Sequence, residues 1–264
     1  MPLLTPSRGR TAPGRLAALD AWVCHAERAL LLRDDGAWAA APFVDLGLGD
    51  TPATTLEAAA ALRAVRPDLA VVGVDHDPAR VAAALPFAGA GTTFVVGGFD
   101  PAGPPARLIR AFNVLRQYPP AELPAIHARL GAGLLPGGLL LEGTCDATGG
   151  VLVSHLLRAG PDGILQREGL VFHTDFSRGF APLLFRDRLP RDLRRVAPGT
   201  ALFAFFAAWN AAWNEARAAL PDAPDAARFA ASITGLAARI PGIDLDPWLV
   251  AHGHLAWRPP GGVP

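Results

Sequence analysis

The stretch Phe43-Val44-Asp45-Leu46-Gly47-Leu48-Gly49-Asp50-Thr51-Pro52 decides the fold of this chain. Strand-prone residues lead into a Gly-x-Gly turn, and helix-start signals follow it. Pro52 suits a first helical position, and Thr54 and Glu57 have the spacing of a capping box. The order predicts a strand, a glycine turn and a helix. In a parallel sheet, such a turn lets backbone N–H groups approach a ligand with no side chain in between.

Three classes of ligand use a turn of this kind. A phosphate-binding P-loop ends in Gly-Lys-Ser/Thr, and this chain contains no lysine. A dinucleotide-binding fingerprint needs a third glycine for close packing of helix on strand, and Pro52 stands there instead. Asp45, two residues before Gly47, suits a ligand with a positively charged amine. These features favour S-adenosylmethionine.

The segment Val44-Asp45-Leu46-Gly47-Leu48-Gly49 resembles the first motif of class I S-adenosylmethionine-dependent methyltransferases. The family often has a third glycine where this chain has Thr51. The resemblance extends over residues 43–143, and it implies that Asp45, Gly47 and Gly49 bind the cofactor. It also implies an α/β Rossmann-like fold, an α/β/α sandwich of about seven mostly parallel strands with a reversed edge strand. The cofactor would lie at the switch point beside the first strand.

A second apolar run, Leu69 to Val74, predicts a strand buried on both faces. It ends at Asp75-His76, 26 residues after Gly49. A carboxylate at this position can accept hydrogen bonds from both hydroxyls of a ribose. We therefore predict that Asp75 and His76 contact the cofactor. The alternative is that Asp75 only caps the helix that follows.

Thr92 to Val96 predicts a third strand, which leads into Gly97-Gly98-Phe99-Asp100. In the resembling family, a loop at this position flanks the adenine ring. The resemblance implies that Gly98 permits close approach, that Phe99 packs on the ring and that Asp100 accepts from its amine. An ordinary turn is the alternative, because Gly-Gly before Asp-Pro is common in turns.

Leu108 to Tyr118 resembles the fourth strand of the family, in which an apolar run reaches Asn-Val-Leu, and this assigns Asn113 to the cofactor. Two residues depart from the pattern. Arg107 stands where an acidic residue is common, and Arg110 lies inside a predicted buried strand. The Asp/Asn-Pro-Pro-aromatic signature of methyltransferases that act on DNA bases or on protein glutamine is missing. We therefore expect a small-molecule acceptor.

The segment Leu135-Pro136-Gly137-Gly138 predicts a turn into a fifth strand, as in the family. The strand ends near the carboxyl edge of the sheet, where open α/β sheets bind ligands. Four residues near this edge are candidates for substrate contact or proton removal: Arg116, Tyr118, Glu142 and Asp146. His173 is a further candidate. Buried hydrogen bonding is the alternative explanation for each.

The C-terminal part of the chain resembles the family by position only. Val151 to Leu157 predicts a helix, and alternation over 170–176 and 253–258 predicts the sixth and seventh strands. A helical insertion of about 178–250 lies between these strands. Its aromatic stripe predicts core packing, and the alternatives are an apolar substrate pocket or a homodimer contact: Leu202, Phe205, Phe206, Trp209 and Trp213.

Composition predicts one domain over 15–264, with a cofactor-binding core at 40–146 and a flexible arm at 1–14. The net charge is zero and the pI is about 7.1, so no global field attracts nucleic acid or an anionic membrane. The arginine-rich segment 178–195 is interpreted as a solvated loop. All 24 basic residues are arginine, which is typical of a GC-rich bacterial genome.

Cys24 and Cys145 are the two cysteines of the chain, and they form neither a disulfide pattern nor a zinc cluster. We therefore expect no metal and a reducing cytoplasm. No apolar stretch approaches the ~20 residues that a membrane-spanning helix needs, so no membrane partner is expected.

Three functional hypotheses follow. The first is methyl transfer from S-adenosylmethionine to an O, C or N atom of a small molecule. The second is a degenerate methyltransferase fold that binds the cofactor or a partner without chemistry, which Thr51, Arg107 and Arg110 would support. The third is an NAD-dependent oxidoreductase, which Pro52 and Asp45 disfavour.

Overall fold

The computed structural model describes residues 12–100 and 103–262. Most of the predicted arm, 1–14, lies outside these ranges. The chain divides into two compact units. The first comprises residues 1–142, 147–149 and 157–166, and the second comprises 143–146, 150–156 and 167–264, each within the described ranges.

The described residues form one eight-stranded sheet in the order β3-β2-β1-β4-β5-β6-β7-β8. Strand β1 pairs in parallel with β2 and β4, β2 pairs in parallel with β3, and β7 and β8 are antiparallel. The predicted α/β Rossmann-like fold with a reversed edge strand is confirmed, with eight strands in place of about seven. The strands are β1 (Phe43–Leu46), β2 (Val71–Asp75), β3 (Thr92–Val96), β4 (Ala106–Phe112), β5 (Leu134–Cys145), β6 (Val151–Ala159), β7 (Leu165–Thr174) and β8 (His254–Trp257).

The first unit contains the predicted strand, glycine turn and helix. Its helices are α1 (Ala17–Ala26), α2 (Arg28–Leu32), α3 (Ala53–Arg63), α4 (Pro78–Ala84) and α5 (Leu123–Ala132). Helix α3 begins after Pro52 without a side-chain cap. The capping box predicted for Thr54 and Glu57 was therefore wrong. Glu57 instead accepts hydrogen bonds from the Gly14 N–H at 2.9 and 3.0 Å.

Arg107, the first unusual residue of β4, is fully buried and donates hydrogen bonds only to backbone carbonyls. Its Nη1 donates to the carbonyls of Leu30, Leu31 and Arg33 at 2.8–2.9 Å, and its Nε donates to Ala41 at 2.8 Å. The last carbonyls of a helix lack partners within the helix, so Arg107 satisfies the end of α2. Burial lowers the pKa of Arg107 to about 10, which leaves the side chain charged at neutral pH.

Two predictions about β5 and β6 were wrong. The segment Val151 to Leu157 belongs to strand β6 and not to a helix. All seven of its residues are buried, and periodicity cannot distinguish a strand buried on both faces from a buried helix. The turn predicted at 135–138 lies inside β5, where Gly137 accommodates a positive φ of 86°.

The second unit contains the predicted helical insertion, with α6 (Ala201–Ala219), α7 (Asp225–Ala237) and α8 (Pro247–Ala251). Its aromatic stripe is buried, as the core interpretation predicted. The ring of Phe172 on β7 contacts four aromatic rings at centroid distances of 5.2–6.2 Å: Phe185, Phe205, Phe206 and Trp209. Segment 178–195 forms two short 3-10 turns whose apolar residues also join this core.

Among the described residues, no helix combines the length and the apolar character needed to cross a membrane.

Candidate functional site

A cavity of about 850 Å³ lies in the first unit, at the ends of β1, β2 and β3 and beside α5. Its volume falls within the range of small-molecule and cofactor sites. Six of the residues predicted from sequence line it: Gly47, Asp75, His76, Gly98, Phe99 and Tyr118. The carboxyl ends of parallel strands meet at one edge of a sheet, which explains why loops far apart in sequence share this cavity.

The glycine turn after β1 packs tightly against the segment that follows β4. Gly47 has a φ of +91°, which favours glycine, and a Cβ added there would lie 2.6 Å from Cγ2 of Val114. The Gly47 N–H donates to the carbonyl of Val74 at 2.7 Å, which ties the turn to β2. Gly49 also has a positive φ, of 75°, but it does not line the cavity.

Asp75 ends β2 with a buried side chain that lines the cavity. Its Oδ1 accepts a hydrogen bond from the Asp77 N–H at 3.0 Å. The N-cap of α4 is Asp77, which accepts from the Ala79 N–H at 2.9 Å. Asp75 is therefore not the cap of α4, and the alternative explanation for this residue was wrong. Two cationic or ionisable groups lie near the Asp75 carboxylate, His76 at 3.4 Å and Arg80 at 3.7 Å.

Phe99 and Tyr118 form an aromatic wall of the cavity. Their ring centroids are 5.1 Å apart in an edge-to-face arrangement. Burial raises the pKa of Tyr118, and the carboxylate of Glu122 adds to the effect. The Tyr118 hydroxyl therefore stays protonated at neutral pH, which makes it a hydrogen-bond donor and a poor base.

Arg129 on α5 lines the cavity and was not predicted from sequence. Its Nε donates to Oδ1 of Asp100 at 2.8 Å, and its Nη2 contacts the other oxygen of the same carboxylate. Asp100, predicted to accept from the adenine amine, is thus paired with Arg129 and does not line the cavity. The two residues are 29 positions apart, so no local motif in the sequence indicates the pair.

Asp45, predicted to bind the amine of the cofactor, lies outside the cavity lining and is buried. Its Oδ2 accepts from the hydroxyl of Thr55 at 2.6 Å and from Nη2 of Arg110 at 2.8 Å. Its Oδ1 accepts from Nε of Arg110, also at 2.8 Å. The structure therefore explains Arg110 inside β4 as the buried partner of this carboxylate.

Asn113, Arg116 and Glu142 also do not line the cavity. Asn113 follows β4 directly and has a left-handed φ of 59°. Its carbonyl accepts from Nε2 of Gln117 at 3.3 Å, and Gln117 does line the cavity. Glu142 is a buried residue of the first unit.

Asp146 and His173 belong to the second unit, and both are buried. Nη1 of Arg178 lies 3.9 Å from Oδ2 of Asp146. The ring of His173 packs on the ring of His254 with centroids 4.5 Å apart. Burial lowers the pKa of His173 to about 4, so this imidazole is neutral at neutral pH.

No protein-family model matches this chain, and no curated protein sequence matches it. Among solved structures, an amino pentose methyltransferase, CalS10 from Micromonospora echinaspora, matches with 22% identity over 63% of this chain and 70% of that chain, at a TM-score of 0.36. Human N-acetylserotonin methyltransferase matches with 22% identity over 48% of this chain, at a TM-score of 0.32.

The O-methyltransferase NcsB1 from neocarzinostatin biosynthesis, solved with S-adenosylhomocysteine, matches with 24% identity over 50% of this chain, at a TM-score of 0.32. The matched region covers 36% of the human enzyme and 41% of NcsB1.

Proposed function

We propose that this chain is a class I S-adenosylmethionine-dependent methyltransferase that acts on a small molecule. The observation that carries the proposal is the set of residues that line one cavity in the first unit. Gly47, Asp75 and Phe99 lie at or just beyond the carboxyl ends of three different strands, and all three line that cavity. The sequence analysis assigns all three to the same cofactor, Asp75 to its ribose and Phe99, through the family resemblance, to its adenine ring.

Asp75 supplies the most specific contact in this proposal. Its carboxylate is buried and lines the cavity, and one oxygen is held by the Asp77 N–H. A carboxylate oriented in this way accepts hydrogen bonds from two neighbouring hydroxyls, as a ribose presents them. Gly47 keeps side-chain atoms away from the same ligand, and Phe99 offers an apolar surface to its base.

The cofactor, when bound, supplies a methyl group on a sulfonium, which is already activated for transfer. The protein must mainly hold the acceptor atom in line with that methyl group. A base is needed only if the acceptor must lose a proton. Tyr118 lines the cavity as a protonated phenol, so it would orient an acceptor by donating a hydrogen bond. Arg116, Glu142 and Asp146 do not line the cavity, and the proposal assigns them no contact with the acceptor.

The acceptor atom in this proposal is O, C or N. A fold that binds the cofactor without catalysis is the second hypothesis, but two of the residues that support it have structural explanations. Arg107 satisfies carbonyls at the end of α2, and Arg110 pairs with Asp45. Neither Arg107 nor Arg110 lines the cavity.

Calorimetric titration of S-adenosylhomocysteine tests the proposal. We expect the wild type to bind, and Asp75→Ala to bind about ten- to hundredfold more weakly, because a charge-assisted contact to the ribose is lost. Asp77→Asn is the matched control, because it removes a charge of the same loop that does not line the cavity and keeps a side-chain acceptor at the N-cap of α4. Asp75→Asn keeps an acceptor for the Asp77 N–H, so it separates loss of charge from loss of loop structure.

A well-folded wild type that does not bind S-adenosylhomocysteine contradicts the proposal. Binding of NAD in its place would favour the oxidoreductase hypothesis. Equal affinities of wild type and Asp75→Asn would show that this carboxylate does not recognise the ligand.

A further inference from the structure

One ion pair joins the two elements on either side of the aromatic wall. Arg129 on α5 contacts both carboxylate oxygens of Asp100, which follows β3. The Arg129 guanidinium carbon also lies 5.8 Å from the ring centre of Phe99, within the range of a cation–π contact. Arg129 and Phe99 both line the cavity. Arg129 therefore adds a polar link between the loop 97–100 and α5, beside the packing of Phe99 in the hydrophobic core.

The pair lies at the surface and can open. The exposed fractions of the Arg129 and Asp100 side chains are 40% and 68%. Exposed ion pairs contribute little to global stability and are screened by salt. The loop 97–100 has few other anchors among the described hydrogen bonds, of which the Gly97 N–H to the Asp75 carbonyl at 2.9 Å is one. Local opening of such a segment costs much less than global unfolding.

We propose that Arg129 and Asp100 form a clasp that controls the rate at which the nucleoside part of the ligand enters and leaves the cavity. The inference rests on the proposed function, because it names a control over the same site. Arg129 is a positioning residue here, acting through Phe99 and the loop 97–100. With the clasp closed, Phe99 is held over the cavity, and with the clasp open, the loop moves away from α5.

The first unit provides a matched control. Arg33 donates to both oxygens of Asp35 at 2.7 and 3.1 Å and lies over the ring of Trp38 at 4.3 Å. Its exposed fraction, 45%, is close to that of Arg129. Neither Arg33 nor Asp35 lines the cavity. Arg33→Gln therefore removes the same kinds of contact at a place where the clasp predicts no effect on the ligand.

Two measurements test the clasp. The first is amide hydrogen exchange of the ligand-free protein, in which Arg129→Gln should accelerate exchange over residues 97–100 and Arg33→Gln should not. The second is the dissociation rate of S-adenosylhomocysteine by stopped flow. Arg129→Gln should raise this rate about three- to tenfold, the size of effect that loss of an exposed ion pair with a cation–π contact produces. Arg129→Lys keeps the charge but loses the two-point contact with Asp100, so its rate should lie between those of wild type and Arg129→Gln.

Ionic strength gives an independent readout. The dissociation rate of the wild type should rise with salt, because salt screens the exposed pair, and the rate of Arg129→Gln should not. Asp100→Asn should lose most of the salt dependence and keep the cation–π contact. A merely structural contribution of Arg129 would change stability without changing this salt dependence.

Unchanged exchange over 97–100 in Arg129→Gln overturns the inference. So does a wild type that binds S-adenosylhomocysteine but releases it at the same rate as Arg129→Gln, or an equal effect of Arg33→Gln. A folded wild type without affinity for S-adenosylhomocysteine overturns the proposed function, and the inference that rests on it falls as well. In that case, faster exchange over residues 97–100 in Arg129→Gln would still show that Arg129 holds this loop, although the loop would then not control this ligand.

Discussion

Arg110 on β4 donates two hydrogen bonds to Asp45 on β1, both at 2.8 Å. The same guanidinium donates a third, from Nη1 to Oδ1 of Asp20 on α1, at 2.5 Å. Two buried carboxylates thus share one cation. Burial by itself lowers the pKa of Arg110, but the two carboxylates outweigh it and raise the pKa above its ordinary value. This cluster ties α1 to the strand that carries the glycine turn.

Asp20→Asn should change how stability depends on pH. Burial raises the pKa of Asp20 from 3.8 to about 6, with the charge of Arg110 opposing the increase. Between these two values the folded state binds more protons than the unfolded state, so the free energy of unfolding falls as pH rises from about 4 to 6. The difference between the two pKa values corresponds to a change in the free energy of unfolding on the order of 3 kcal/mol. Urea denaturation at pH 4, 5, 6 and 7 measures it.

Asp20→Asn has no carboxyl group to titrate at this position. Its free energy of unfolding, compared with that of the wild type, should therefore increase from pH 4 to 7 and then stay constant. Asp222→Asn is the control, because Asp222 is exposed. Parallel pH profiles for wild type and Asp20→Asn would show that folding does not change the pKa of Asp20.

Arg107→Met should lower the free energy of unfolding by about 3–5 kcal/mol. The substitution keeps an apolar stem but leaves the buried carbonyls of Leu30 and Ala41, among others, without their donor. Arg217→Met is the control, because Arg217 is exposed on α6. Chemical denaturation compares the two. A loss below 1 kcal/mol for Arg107→Met would mean that water replaces the guanidinium.

Gly47→Ala should weaken binding of S-adenosylhomocysteine and destabilise the first unit by about 1–3 kcal/mol. The new Cβ would lie 2.6 Å from Cγ2 of Val114, at a backbone φ of +91°. Gly36→Ala is the control, because its φ is +52° and a Cβ there meets no atom within 4 Å. The double variant with Val114→Ala should regain part of the loss, which calorimetry and thermal denaturation would detect.

Phe172→Ala should destabilise the second unit by about 3–5 kcal/mol, because Phe172 contacts four aromatic rings in a fully buried core. Phe203→Ala on α6 is the control, since its side chain is 44% exposed. Tryptophan fluorescence during denaturation reports on six tryptophans, among them Trp209, whose ring centroid lies 5.7 Å from that of Phe172. Equal losses for both variants would contradict the packing described for this core.

The local sequence pattern predicted those parts of the site that lie at the end of one strand. The apolar runs before Gly47 and Asp75 predict strands β1 and β2, and parallel strands present their carboxyl ends at one edge. The six predicted residues that line the cavity follow from this rule. The prediction of a helix at Val151 to Leu157 was wrong for a related reason, because a fully buried run has no polar face that reveals its period.

The sequence alone determined the strand, glycine turn and helix and the position of Asp75, since spacing and backbone stereochemistry fix these locally. Only the tertiary structure decided which polar groups pair. Asp45 meets Arg110 across 65 positions, and Asp100 meets Arg129 across 29. Buried or bridging charges take the partner that folding brings within hydrogen-bond distance, and that choice has no local periodicity. For this reason Asp45, which was predicted to face a ligand, accepts hydrogen bonds from Arg110 of the protein itself.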